Sequence, residues 1–188
     1  MSSSSSFSSF ISPLPASSSP ASALYTERLV LRRWSLAELR AVTDPWARLA
    51  HWAQDYPADG DRVIAGFLAE CDDPAAELAA PYGHRQIIER ASGLVVGAIS
   101  LMWPPDDGRI ELGYGIVPSR RGRAYAPEAA RAMVGFGLGA PGVHTVHADV
   151  EQANPASVRV LEKAGLTRGV SVAGLVRFQA TRAEPSGS

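Results

Sequence analysis

The strongest constraint on this chain is a row of three strand-length segments that runs directly into a glycine-containing turn and a helix. Residues 83–90, 94–103 and 109–117 are separated by Ser92-Gly93 and by Pro104-Pro105-Asp106-Asp107-Gly108. Connections of this kind predict hairpins, so the three strands are expected to be antiparallel neighbours. Beyond Pro118 the apolar spacing changes. Ala129, Ala130, Met133, Val134 and Leu138 mark one face of a helix over about 125–138.

The flanking segments extend this order. Residues 26–34 read as a first strand, and Ser35 can cap a short helix that begins at Leu36. Residues 43–60, rich in Trp, Pro and Asp, read as an irregular loop. Helical spacing over 61–80 is broken by Pro74. A strand is predicted over 143–150, then a helix from Asn154-Pro155 to Gly165. A hairpin over 166–172 and 175–181 closes the order around Ala173-Gly174. Gly135, Gly137 and Gly139 fall where that earlier helix ends and are expected to ease its termination.

Composition narrows the class. The 188 residues suit one domain, and 46% hydrophobic content is ample for a core. The formal net charge of -1 gives no basic field for nucleic acid or an anionic membrane. No apolar run reaches the roughly 20 residues of a membrane helix, and no Lys or Arg precedes Arg28 to open a secretory signal. The single cysteine, Cys71, leaves no disulfide and no cysteine cluster for zinc, so no metal is expected and a cytoplasmic setting fits. Residues 1–22, mostly Ser, Pro and Ala, read as a disordered tail, with Phe7, Phe10, Ile11 and Leu14 as a docking motif or as bland tail. The folded domain is expected over 23–182, with a short tail at 183–188.

Three local patterns carry chemistry. Arg120-Arg121-Gly122-Arg123-Ala124 joins a strand to a helix whose first turn contains Pro127. A helix N-terminus has unpaired N–H groups and partial positive charge, and small residues let its backbone approach phosphate. The same residues would also serve as an ordinary basic turn. In the strand before it, Ile110, Leu112, Tyr114 and Ile116 share one face, expected to be core, while Glu111, Gly113 and Gly115 share the other. Two mid-strand glycines imply that something approaches the backbone closely, with Glu111 pointing at it or simply solvated. Asn154 and Ser157 open the later helix, where Asn154 is an N-cap, a ligand contact, or both. A Walker-type loop is absent, since the only lysine is Lys163, and no Gly-x-Gly-x-x-Gly opens a βαβ unit.

Taken in order, residues 111–116, 121–129, 154–157 and 161–166, with Thr26-Glu27-Arg28-Leu29-Val30-Leu31-Arg32, resemble the GNAT superfamily of N-acetyltransferases. The resemblance is nearest to its ribosomal-protein N-terminal acetyltransferase-like (RimJ/RimL) branch and covers most of 26–181. It implies an α+β fold: a mixed, mostly antiparallel, splayed sheet of about seven strands with helices on both faces. It implies acetyl-CoA as co-substrate, held by the backbone at Ile116 and Val117, by Arg121, Gly122, Arg123, Ala124 and Tyr125, and by Asn154 and Ser157. Two departures stand out. Ser119 occupies a position where the family often has Gln or Arg, and Leu161 stands where many members have a tyrosine that reprotonates the thiolate.

The resulting expectation is acetyl transfer from acetyl-CoA to a primary amine, on a protein N-terminus or a small molecule, by direct attack. Glu111 is the candidate general base, and His147 with Asp149, alternating on the next strand, is a second pair that could instead be structural. The alternative is a non-catalytic acyl-CoA-binding or regulatory module. Trp46, His51, Trp52 and Trp103 line the acceptor pocket or pack the core. No nucleic-acid or membrane partner is expected, and a homodimer is compatible with the sequence.

Overall fold

A computed structural model describes residues 23–182. The expected tails, 1–22 and 183–188, lie outside the described residues. The order is β1 (Ala23–Tyr25), β2 (Leu29–Arg33), α1 (Leu36–Thr43), α2 (Asp59–Ala69), α3 (Pro74–Ala79), β3 (Arg85–Glu89), β4 (Val95–Leu101), β5 (Arg109–Ile116), α4 (Tyr125–Leu138), β6 (Thr145–Glu151), α5 (Pro155–Ala164), β7 (Thr167–Val172) and β8 (Leu175–Thr181). One sheet carries them in the order β1-β2-β3-β4-β5-β6-β8-β7. All pairings are antiparallel except β5 with β6.

The sheet has eight strands rather than about seven because a short strand, β1, precedes the expected first strand, which is β2. Thr26 turns the chain: its hydroxyl and N–H both meet the Leu29 carbonyl, and its Oγ accepts from the Leu29 N–H at 3.0 Å. The remaining elements fall close to their predicted limits for local reasons. Ser35 and Glu38 form a reciprocal capping box at the start of α1. Asp73 caps α3, with Pro74 in its first turn. Gly165 ends α5 at φ 92°.

α4 covers one face of the β2–β5 half, and α1 lies on the other face at β2. Leu29, Leu31, Ile99, Leu101, Leu112 and Val146 share the face under α4, and all are buried. Gly137 belongs to this contact, since a Cβ there would lie 3.0 Å from Leu101 Cδ1 and from Val146 Cγ2. It sets the distance between helix and sheet, which corrects its expected role in helix termination; Gly139 is the C-cap. On the opposite face, Arg32 of β2 reaches Glu38 of α1 at 2.5 Å. The loop before α2 is anchored to the sheet by Ala53 N–H to Val95 O at 3.0 Å and Val95 N–H to His51 O at 2.8 Å. Trp52 is thereby buried edge-to-face against Tyr56, whereas Trp46 is almost fully exposed.

Two buried carboxylates in this layer titrate in opposite senses. Burial alone would raise Glu38, but hydrogen bonds from Arg32 and Ser35 hold it down at about 2. Burial raises Asp61 from 3.8 to about 6, only partly offset by its bond from the Ala58 N–H. A carboxyl that binds its proton more tightly when folded contributes stability below pH 4 that is lost as pH rises to 6. Asp61→Asn keeps the acceptor oxygen and removes the charge. It should add roughly 2–3 kcal/mol to unfolding free energy at pH 7 and nothing at pH 4. Urea unfolding of both proteins across that range checks this; an equal difference at both pH values contradicts it.

Candidate active site

The site is built from one interruption in the sheet. β5 and β6 pair only at Arg109–Thr145, Ile110–Val146 and Glu111–His147. From there each strand follows its other neighbour, β5 with β4 as far as Ile116 and β6 with β8 as far as Glu151. The pairing is pinned at its start, where the Gly108 carbonyl accepts from the N–H groups of His144 (2.8 Å) and Thr145 (3.1 Å). A side chain at Gly108 would collide with the His144 ring, and its φ of 68° also favours glycine.

Ladder alternation decides which peptide groups face the opening. Val117 N–H donates to Val96 O, and Met102 N–H to Glu111 O, both at 2.9 Å. Residues 111, 113, 115 and 117 therefore turn their backbone polar groups to β4, and Leu112, Tyr114 and Ile116 turn theirs toward the diverging β6. Val117 also accepts from Arg120 N–H through its carbonyl at 3.0 Å. Of Ile116 and Val117, Ile116 is the one with an N–H directed into the gap; its carbonyl accepts from Arg121 Nε at 2.9 Å.

The gap leads to the start of α4. Ala124 is the N-cap in the left-handed region, φ 59°, and caps with no side chain; Gly122 has φ 76°. No acceptor among the described residues takes the N–H of Gly122, Arg123, Ala124, Tyr125 or Ala126. Five donors converge on one turn at the positive end of a helix dipole, an arrangement suited to phosphate.

The loop's side chains are otherwise engaged. Glu89, at the end of β3, accepts from the Tyr125 hydroxyl and from Ser92 Oγ. It also lies 3.4 Å from Arg123 and 3.6 Å from Arg120. The Ser92 and Tyr125 hydrogen bonds, followed by these guanidinium charges, hold Glu89 below the usual carboxylate range. Asp55 accepts from Ser119 N–H at 2.8 Å and Ser119 Oγ at 2.5 Å, so Ser119 fastens the loop to the segment before α2. Arg121, Arg123 and Tyr125 thus shape the loop, and its main-chain N–H groups are left unpaired.

Across the gap, Asn154 Oδ1 accepts from Ser157 N–H at 3.1 Å as the cap of α5. The Ser157 carbonyl accepts from the Tyr114 hydroxyl at 3.3 Å, tying β5 to α5. Tyr114 is only half-buried, unlike its neighbours Leu112 and Ile116 on the same face. Burial raises its pKa, opposed by the bond to Ser157. Leu161 is fully buried core and supplies no hydroxyl.

On the other face, Glu111 is exposed next to His147. Burial, then the Arg177 charge, lowers the His147 pKa. Asp149 is bound in two places by Arg177, at 2.8 and 2.5 Å, which lowers its own pKa. Asp149 is therefore not an unpaired partner for His147. A Cβ at Gly115 would meet nothing within 4 Å, and one at Gly113 would meet only Met102 Cε at 3.2 Å. Gly97 is the position of close backbone approach, since a Cβ there would lie 2.0 Å from the Gly115 carbonyl oxygen. His84 Nδ1 and Ser100 Oγ, 2.5 Å apart, stand beside this face, with His84 lowered to about 4 by burial. Sequence reasoning passed over Tyr114, Asp55, Glu89 and the His84–Ser100 pair. Only the buried position of Glu89 at a strand end gave a signal, and it needs the loop's placement to be read.

A family model described as "Acetyltransferase (GNAT) domain" matches residues 28–167. The chain belongs to the GNAT acetyltransferase family. It is 26% identical over 153 residues to an uncharacterized N-acetyltransferase, p20, of Bacillus licheniformis, covering 77% of this chain and 85% of that one. A GNAT-family acetyltransferase structure from Bacillus anthracis superposes with a TM-score of 0.61 at 19% identity, covering 85% of this chain and 98% of that one. A proposed ribosomal-protein-serine acetyltransferase from Vibrio cholerae gives 0.59 at 16% identity, covering 87% and 99%. These two share the fold. GNAT acetyltransferases use acetyl-CoA, and the five main-chain donors with the open β5 edge fit a pyrophosphate and an amide-bearing arm. Among the described residues, no group of His, Cys, Asp and Glu could hold a metal, and no helix is long and apolar enough to cross a membrane.

Gly115→Val separates fold from function at this GNAT site. Valine suits a strand, and its Cβ would meet no protein atom within 4 Å. Unfolding free energy should change by no more than about 1 kcal/mol while acetyl transfer falls at least about tenfold. Full activity in the stable variant would mean that nothing occupies this face.

Proposed function

We propose that this protein transfers the acetyl group of acetyl-CoA to a primary amine, by direct attack and without a covalent enzyme intermediate. The observation that carries the reading is the continuity of two backbone surfaces with unpaired groups, the β5 edge from the Leu112 carbonyl through Tyr114 to the Ile116 N–H and the uncapped start of α4. Acetyl-CoA supplies the activated acetyl group: the amine nitrogen bonds to the acetyl carbon, the carbon–sulfur bond breaks, and the thiolate leaves with the electron pair and takes up a proton.

Each role then falls to a residue of this chain. The N–H groups of Gly122 to Ala126 hold the pyrophosphate, with Asn154 and Ser157 bounding the gap opposite. Leu112, Tyr114 and Ile116 offer main-chain donors and acceptors to the pantetheine arm, and the Ile116 N–H is placed to polarise a carbonyl. Glu111, on the side opposite α4, accepts the amine proton, directly or through water. We assign the thiolate's proton to Tyr114. Its hydroxyl stays protonated because burial raises it, and it stands between β5 and α5. This hydroxyl takes the place that the buried Leu161 leaves unfilled.

An α-amino group, with pKa about 7.7–8.0, is roughly 10% neutral at pH 7, so Glu111 has little work to do; a lysine amine near 10.4 needs far more help. A peptide or small-molecule α-amine is thus the acceptor we favour, in keeping with a RimJ/RimL-like branch. The one cysteine, Cys71, is a free thiol and fits a reducing cytoplasm.

Thiol release from acetyl-CoA over a panel of amines tests the reading. Tyr114→Phe should lower kcat at least about tenfold with little change in KM for acetyl-CoA. Glu111→Gln should be most impaired at pH 6 and recover as pH approaches the amine's own pKa. Acetyl-CoA binding without turnover for any amine would instead support the acyl-CoA-binding module.

A further inference from the structure

We infer that the acceptor carries an anionic group, a carboxylate or its equivalent, a few bonds from the reacting nitrogen, and that Arg109 selects it. This rests on the acetyl-transfer reading and adds the chemistry of the acceptor.

Beyond Glu111 the sheet face that bears it continues into a cavity of about 580 Å³, lined by Arg109, Asp149, Val170, Leu175, Arg177 and Gln179. Strand register puts these groups together. Glu111 aligns with His147 and Gln179, and Asp149 aligns with Arg177. The two cations differ in how they are satisfied. Arg177 grips Asp149 through two hydrogen bonds. Arg109, half-buried, donates only to the neutral Gln179 Oε1, at 3.4 Å, and no carboxylate of the described residues is within ion-pair reach. A partly desolvated guanidinium without a counter-ion is costly, and its planar fork matches a carboxylate.

The spacing suits a small acceptor. Arg109 lies two residues from Glu111 along one strand, about 7 Å. An amine presented to Glu111 can therefore place an anion on Arg109 when two to five bonds separate them. Val170 and Leu175, exposed at the rim, offer apolar surface for the remainder. A polyamine would instead bring positive charge against two guanidiniums, of which Arg177 already holds Asp149 and Arg109 has no carboxylate in direct contact. The anion can come from a free amino-acid carboxylate or from an acidic side chain near a peptide's amino terminus.

Two acceptor pairs distinguish these sources and test the inference. The first is phenylalanine against phenylalaninamide. The second is a carboxy-amidated tetrapeptide with Asp or Asn at its first position, and spermidine is run beside both. Amidation lowers amine basicity and raises the neutral fraction, so a preference for the free acid must come from recognition. In at least one pair the anionic member should exceed its neutral partner at least tenfold in kcat/KM. Arg109→Gln should bring that ratio toward one, Arg109→Lys should retain part of it, and both should melt as folded proteins. Neutral members used equally well in both pairs, spermidine preferred, or a ratio unchanged in Arg109→Gln would overturn the inference and leave acetyl transfer standing. No thiol release with any amine, although acetyl-CoA binds, would overturn both.

Discussion

The parallel pairing of β5 with β6 lasts three residues, and the site depends on where it stops. Were it to continue, Tyr114 and Ile116 would spend their peptide groups on β6, as the Leu112 N–H does at the last pair. Instead the Gly108 carbonyl binds the first residues of β6 to the start of β5, and the two strands separate beyond Glu111 and His147. Peptide groups that trade water for a ligand partner gain about 0.5–1.5 kcal/mol net for each hydrogen bond. A ligand that enters the gap is therefore held if it presents donors and acceptors along its length, which an amide-bearing arm does. The same divergence gives the opening two chemically distinct walls. Tyr114 and Ser157 lie toward α5; Glu111, Gly113 and Gly115 lie toward the uncovered face.

The phosphate end follows a different logic. Its arginines suggest direct charge pairing with an anion, but Glu89 neutralises part of their charge and Arg121 is bonded to the Ile116 carbonyl. Their work is to hold a tight turn in which Gly122 and Ala124 both have positive φ and the N–H groups find no acceptor among the described residues. Asp55, through Ser119, couples this turn to the segment before α2. The loop proposed to hold the donor and the segment before α2 thus share one mechanical connection.

Much of this was legible in the residue order. Hairpin turns at Ser92-Gly93 and Pro104–Gly108, the Ser35 and Asn154 caps, and the Gly165 stop are local signals, and each lies where local chemistry puts it. The contrast between the two faces of β5 was readable for the same reason. Side-chain commitments were not, because they cross the chain: Glu89 meets residues more than thirty positions away, and Arg177 meets Asp149 twenty-eight away. Nor could spacing tell that Val117 is bonded on both sides while Ile116 has its N–H free, since that depends on ladder parity. Tyr114 reads as core on alternation alone, yet it reaches α5 and stays half-buried. Gly137 looked like a helix terminator because its role lies in the sheet beneath it.

The central claim is that donor binding completes the interrupted ladder at β5. Amide hydrogen exchange resolved by residue, with and without acetyl-CoA, tests it most directly. The amides of Tyr114 and Ile116 should exchange readily in the free protein and become protected on binding, together with those of Gly122 to Ala126, while those of Gly113, Gly115 and Val117 are already protected by β4 and that of Leu112 by β6. Bound acetyl-CoA with exchange at the Tyr114 and Ile116 amides unchanged would contradict the account.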